Sequence, residues 1–594
     1  MYKIYWLDPF SNLNNAGNQA QQLILLDNDN NKVTRYNSSF NMARTMSSDF
    51  RGDFRDLEAW KMLLMGEDFV KKKKPTLLYA AAFMGNANMV ELLLRNEAIK
   101  PNKGTNDGTT PLHIAAFKGH LEVVEILLGK EGISLNKANE YGITPLYAAA
   151  EAGHIKIVEL LLSQEEIQIN KATKGNANPL FVACQNGHHK VVELLLNQEG
   201  IKVNKTMENN ATPLLVAAQN GHYLVVELLL RKEGIEVNKA MNGGHSPLHC
   251  AAQNGHDAVV QLLLRDDRVL VNLRTDYGGT SLHIAAERGH HKVVSLLLSQ
   301  KGVEVNPRNN EEVTPLYIAA QNGHEKVVEI LLGHEEILVN QAIEDGTTAL
   351  HAAADEGHYD VVRMLLRKDG VDINNGAHDG YTALYAAAKY GHSQVVKLLL
   401  EQEGILVNQA ADFDAGATAL QAAAEEGHDE VVKLILGKEG VDINRRTNYG
   451  CTALYLASKN GHDKVVLLLL KQEEILVNEA VLDGSTPLFI AAHNGHEKVV
   501  DLLLRREGIK VNEVDRDGVS PLFSAVEQKH YKVVKKLLKA EDIQVRNATW
   551  YQARKMGIFH RYKRTPYVWC PLIYGVHRYK RTPYIRCTKS RCRM

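Results

Sequence analysis

The chain has 594 residues, too many for one ordinary globular core, so it must fold as several domains or as an array. With 45% apolar and 23% charged residues, it reads as a folded, soluble chain and not a disordered one. A net charge of −1, from 69 basic and 70 acidic residues, excludes a global pull towards nucleic acid or a membrane surface.

Residues 1–70 form an asparagine-rich segment with no assignable fold. Its start, Met1 to Pro9, lacks the apolar run of a signal peptide, and the longest apolar runs elsewhere, such as Val465 to Leu470, are too short to span a bilayer. A cytoplasmic protein is the expectation. Within the segment, Gln22 to Tyr36 reads as strand, turn, strand, and Phe54 to Met65 as a helix. The run Lys71 to Lys74 reads as a solvated boundary.

From there the chain repeats itself. Gly-His recurs at 119, 153, 187, 221, 255, 289, 323, 357, 391, 427, 461 and 495, with a step of 34 residues everywhere except 391 to 427, where it is 36. Degenerate copies at Gly85-Asn86 and Lys529-His530 bring the count to fourteen units, spanning about Thr76 to Asn547. One unit shows the physics. Thr144 is a good N-cap, and Pro145 suits the first helical position, where a missing N–H costs nothing. Leu146 and Ala148 to Ala150 make a first short helix whose small residues let a neighbour approach closely. Gly153 can take the left-handed conformation that ends it. Ile155 to Leu162 form a second helix, apolar on most faces, and Ile167 to Asn170 read as a short extended stretch before a turn. Such a hairpin cannot bury its apolar face alone, but stacked copies can.

These units resemble the ankyrin repeat. Gly108 to Leu128 follows its pattern almost throughout: a turn glycine, Thr-Pro-Leu-His, paired alanines, Gly-His, Val-Val, and the closing leucines. The resemblance recurs fourteen times in register over residues 71–547. It implies an all-α ankyrin solenoid of stacked helix–turn–helix units with short hairpin-like turns. The loop Glu131 to Asn136 is one residue longer than the usual form, which sets the period at 34, and Tyr or Phe at 147, 181, 317, 385 and 489 replaces the usual histidine. The Lys532, Lys535, Lys536 and Lys539 face of the last unit suits a terminal cap. The two extra residues fall near 411–415, as either a bulged turn or a change of curvature that divides the stack.

In such stacks partners meet the turn tips and the exposed side of the first helices, which together line a concave groove. Carried onto matching positions, the resemblance implies a groove whose early helix ends are amides (Gln185-Asn186, Gln253-Asn254, Gln321-Asn322) and whose later ones are charged. The candidate partner-binding residues are Tyr141, Tyr277, Glu356, Asp379, Tyr390, Glu426 and Tyr449, with tyrosines at tips as interface anchors.

Sites for chemistry are not expected. Thirteen histidines, His120 to His530, occupy one equivalent position. Stacked helices lie roughly 8–10 Å apart, while zinc needs its nitrogens at about 2.0–2.1 Å, so successive histidines cannot share an ion. They read as structural, bonding turn backbone beside glycine; His113, His249, His283 and His351 read as bonding within their own helix-start turns. No phosphate loop, nucleophile elbow or zinc-protease motif is present, so no catalytic residue, metal or cofactor is assigned. Arg51-Gly-Asp53 is too short a match to carry a role. Cys184, Cys250 and Cys451 read as small structural residues in a reducing compartment.

The final segment, 548–594, differs from everything before it. It carries twelve Lys or Arg and no acid, leaving residues 1–547 at −13, and repeats His-Arg-Tyr-Lys-Arg-Thr-Pro-Tyr at 560–567 and 577–584. It reads as a disordered basic tail, with nucleic acid or an anionic membrane as partners compatible with its alternating bases and aromatics. The reading that follows is a monomeric, non-enzymatic scaffold binding partner proteins. The alternative is an adaptor anchored by the tail, including a host-directed effector that an intracellular microbe exports to a host cell cytosol.

Overall fold

The computed structural model describes residues 67–544, residue 65, and the pairs 24–25 and 34–35. In the N-terminal segment two short strands are present: Ile24–Leu25 pairs antiparallel with Thr34–Arg35, Ile24 opposite Arg35, while the expected turn between them lies outside the described residues. The helix expected at 54–65 falls, but for its last residue, outside the described residues, as do Arg51–Asp53 and the tail 548–594.

A helix at Glu67–Lys73 is followed by fourteen pairs of short helices, from Leu77–Met84 with Ala87–Leu94 to Pro521–Glu527 with Tyr531–Leu537. The chain forms two compact units. One comprises Met1–Pro213 with Arg231–Ile235, the other Leu214–Leu230 with Glu236–Met594.

The repeat forms as its residues dictate. Thr144, in extended backbone, accepts a hydrogen bond from the Tyr147 amide at 3.2 Å, Pro145 opens the helix Pro145–Ala152, and Gly153 closes it at φ +77°. Ala148, Ala149 and Ala150 are wholly buried, so each first helix sits tight against the next. The second helix, Ile155–Leu162, buries Ile157, Val158 and Leu161 and turns Lys156 and Glu159 outward. The apolar positions recur at i, i+1 and i+4, a stripe wide enough to pack on two sides.

Ile167 to Asn170 forms a loop running into a turn, not a strand. The Asn170 side chain explains why: Nδ2 donates to the Gly200 carbonyl at 2.8 Å and Oδ1 accepts from the Lys202 amide at 2.9 Å. One asparagine thus satisfies the backbone that a strand partner would otherwise serve. The same bridge recurs at Asn102 and Asn136 in the first unit and at Asn238, Asn272, Asn306, Asn340, Asn374 and Asn444 in the second.

The insertion is a turn of 3₁₀ helix, Asp412–Asp414, inside the second unit. An Ala411–Ala417 bridge closes its base, and Ala415 takes φ +53° to turn the chain. At the start of the array, the Lys71–Lys74 run is only partly solvated: Lys73 ion-pairs with the buried Asp107 carboxylate. That contact, with bonds from Thr105 and the Thr109 amide, holds Asp107 below the usual carboxylate range against the opposing effect of burial. In the last repeat Val533 and Leu537 face inward, Lys532, Lys535 and Lys539 face solvent, and Lys536 reaches Asp501 at 2.9 Å. None of the described helices is long and apolar enough to cross a membrane.

Candidate partner-binding surface

The histidine column is an inter-repeat tie. In the first unit, His120, His154 and His188 present Nε2 to the Phe83, Phe117 and Glu151 carbonyls at 2.9–3.0 Å. In the second, His256 meets Gln219, His392 meets Asp355 and His496 meets Lys459 in the same way. Each ring reaches back into the preceding repeat, to the last or next-to-last residue of its first helix. Hence these histidines stand at N-cap positions yet make no side-chain cap bond to their own helix.

His113, His249 and His283 act at the helix starts. The Thr110 amide donates to His113 Nδ1 at 3.1 Å while His113 Nε2 reaches the Ile143 carbonyl of the next repeat at 2.9 Å. Ser246 and Thr280 form the same cap with His249 and His283. Burial pushes all three imidazoles down to about 4, so they are neutral near pH 7. Gln421 makes both sets of bonds without a ring: Oε1 accepts from the Thr418 amide at 2.8 Å and Nε2 donates to the Cys451 carbonyl at 2.9 Å.

The turn tips are tied as well. Many tips donate one backbone N–H to the tip before: Lys174 to the Tyr141 carbonyl, Asn310 to Tyr277, His378 to Asp345, and Leu482 to Tyr449. Side chains at the tips therefore stand on a backbone fixed from one repeat to the next, which lowers the ordering cost of binding.

Tyr141 is 42% exposed and Tyr277 69%. A hydrogen bond to Glu140 raises the Tyr141 phenol above its ordinary value. Tyr390, 40% exposed, ends the helix Ala383–Lys389 and tilts over His392, the ring centroids 6.4 Å apart. Tyr449 is different, packing half-buried against the cluster of Cys451, Tyr455 and Leu456. Glu356 and Glu426 are exposed last residues of Ala349–Glu356 and Ala419–Glu426. Their neighbours are used internally: the Tyr381 hydroxyl donates to Asp355, and Lys459 lies 3.5 Å from Glu425. Burial raises the Glu425 carboxyl. Asp379 is only half exposed, its Oδ1 accepting from the Tyr381 amide and its carbonyl from the Asp412 amide. The seven candidates fall one in the first unit and six in the second; Asp379 and Tyr390 share a repeat and the others lie in separate ones.

Two features escaped the sequence reading. Leu270, Leu338, Leu406 and Leu476 are each half exposed or more at one loop position, alternating with exposed Glu304, Asp372 and Asp442. The signal is the Ile-Leu-Val-Asn type loop in every other repeat. The second feature is an aromatic group at the insertion, Tyr381, Tyr385 and Phe413, with ring centroids 5.4–5.6 Å apart.

Cys184, Cys250 and Cys451 are buried, and burial pushes the Cys250 thiol up to about 12. Among the described residues no group of three or more His, Cys, Asp or Glu is placed to hold a metal ion. The comparison with curated proteins finds no match. The family model described as ankyrin repeats (3 copies) matches in eight overlapping stretches that run from residue 52 to 547. Repeats of this kind are in general protein–protein interaction modules, typically without enzymatic activity. With helical hairpins stacked in the expected register and the family model covering most of its length, the chain belongs to the ankyrin-repeat family.

Proposed function

We propose that this protein is a scaffold or adaptor that holds partner proteins against the turn tips and first-helix ends, with Tyr141 as an anchor in the first unit and Tyr277 and Tyr390 in the second. The observation that carries this reading is Tyr277: a large amphipathic ring 69% exposed on a tip whose carbonyl the next tip holds at 3.0 Å. A rigid aromatic side chain loses little conformational freedom on contact, which is why tyrosine concentrates in interface hot spots. Glu356 and Glu426 supply charge at the helix ends and favour a partner with basic residues facing that part of the second unit. Cytosolic placement belongs to the same reading, since the buried thiols suit a reducing compartment.

The test is affinity capture with the full chain as bait, followed by crosslinking mass spectrometry of the captured complex. Crosslinks on the tips and first-helix ends, lost with Tyr277→Ala and Tyr390→Ala, support the reading. Crosslinks confined to the Asn-bridged loops on the opposite ends of the repeats would overturn it.

A further inference from the structure

The one break in the 34-residue period builds something no other repeat has. The 3₁₀ turn Asp412–Asp414 sets Phe413 edge-to-face on both Tyr381 and Tyr385, at 5.5 and 5.4 Å between centroids. Phe413 is nonetheless 47% exposed. Both phenols are hydrogen-bonded to carboxylates, Tyr381 to Asp355 and Tyr385 to Asp414. A phenol donating to a carboxylate gains partial phenolate character, which makes its ring face more negative and a better seat for a cation. A cation already sits there: Lys389 Nζ lies 5.4 Å from the Phe413 centroid and 5.8 Å from that of Tyr385.

The surrounding charge has one dominant sign. Asp412 and Asp414 flank Phe413, and Asp355 and Glu425 close the sides, with Lys459 neutralising part of Glu425. The chain itself contains a segment of matching chemistry. The octapeptide His-Arg-Tyr-Lys-Arg-Thr-Pro-Tyr occurs twice in a stretch of twelve bases and no acids, while residues 1–547 sum to −13. Reach permits the contact. Residues 545–560, extended, span up to about 55 Å at ~3.5 Å each. The site lies four repeats before the last one, about 40 Å at the spacing of packed helices.

We propose that Phe413 and Tyr381, backed by the buried ring of Tyr385, form with the carboxylates of Asp355, Asp414 and Glu425 a docking site for arginine and lysine side chains, and that its occupant is the basic octapeptide 560–567 or its copy at 577–584. Lys389 is the resident cation that the incoming side chain joins or displaces. This goes beyond the scaffold reading and does not depend on it.

The test uses a fluorescein-labelled peptide of the sequence of residues 560–567 and anisotropy titration against the full chain. In one form of the chain Arg561, Lys563, Arg564, Arg578, Lys580 and Arg581 are replaced by alanine, so that the probe meets no competitor. The probe binds this form, and a probe with its three bases replaced by alanine does not. Phe413→Leu keeps the apolar bulk and removes the π face, and it weakens binding about tenfold, the size of one desolvated cation–π contact. Lys389→Met strengthens binding several-fold. The unsubstituted chain binds the probe several-fold more weakly than the alanine form, because its own segment competes. Equal binding by Phe413→Leu, with unchanged melting, overturns the site. Equal binding by the two forms of the tail overturns the assignment of the chain's own segment and leaves a basic peptide of another protein as occupant. No binding to any form overturns the whole proposal.

Discussion

His188 lies over the face that Gly153 leaves open: a methyl group on Gly153 would stand 2.6 Å from the His188 Nδ1. The same ring reaches the Glu151 carbonyl at 2.9 Å, so glycine and histidine lock two successive repeats together. Gly153→Ala is expected to cost about 2–4 kcal/mol, from a left-handed alanine and a displaced ring that loses its bond. In Gly153→Ala with His188→Ala the clash is gone, and the double variant is less destabilised than the sum by about 1 kcal/mol. Hydrogen-exchange mass spectrometry of peptides covering 145–162 and 179–196 reads both costs locally. Strict additivity would show that the ring and the glycine are independent.

The three buried caps make stability depend on pH. His113, His249 and His283 have folded values of about 4, against about 6.5 in an unfolded chain. The unfolded state therefore takes up protons first as the pH falls. Stability is unaffected above about 6.5 and is lost between about 6.5 and 4, by at most roughly 1.4 kcal/mol per pH unit for each histidine. The combined variant His113→Gln, His249→Gln, His283→Gln copies the bonds of Gln421 without a titrating ring. Thermal melts from pH 7.5 to 4.5 should show a shallower fall for this variant, and parallel curves would refute the assignment.

Asn306 bridges two loops, donating to the Glu336 carbonyl at 2.7 Å and accepting from the Leu338 amide at 2.9 Å. Asn306→Ala removes both bonds at a partly solvated site and should cost about 1–2 kcal/mol. Asn306→Asp keeps the acceptor but sets a carboxylate against a carbonyl, so it should recover only part of the loss. Amide exchange at Leu338 distinguishes the two: protection falls in the alanine variant and survives in the aspartate one.

Tyr277 separates function from stability. Its ring is largely in solvent, so Tyr277→Ala should change stability by no more than about 0.5 kcal/mol. Loss of a hot-spot tyrosine should weaken a partner by about 2 kcal/mol, roughly thirtyfold in affinity. Surface plasmon resonance on a captured partner, beside a melting curve, reads the two numbers on one sample.

Much of the fold was legible because each repeat states it again. Thr144, Pro145 and Gly153 occupy the cap, first-turn and left-handed positions that their chemistry predicts. What sequence could not show was which repeat each side chain serves. Gly153 and His154 are neighbours in the chain, yet Gly153 is covered by His188 and His154 reaches Phe117. When every copy carries both residues, a one-repeat offset leaves no trace in the pattern.

The surface was legible only in part. Tyr141, Tyr277 and Tyr390 are exposed as their tip or helix-end positions suggest. Tyr449 has the same place in the pattern as Tyr141 but packs on the cluster that holds Tyr455 and Leu456; beneath Tyr141 the matching pair is Tyr147 and the smaller Ala148. Asp379 is partly used internally: its carbonyl receives the Asp412 amide in the same tie that joins Tyr141 to Lys174, and its Oδ1 accepts from the Tyr381 amide.

Every tie described above, from histidine, asparagine or tip amide, reaches one repeat and no further. A chain drawn out between its two ends should therefore yield link by link, each opened repeat releasing 34 residues, about 110 Å of contour. The 36-residue link at the insertion would show as one slightly longer step in a force–extension trace.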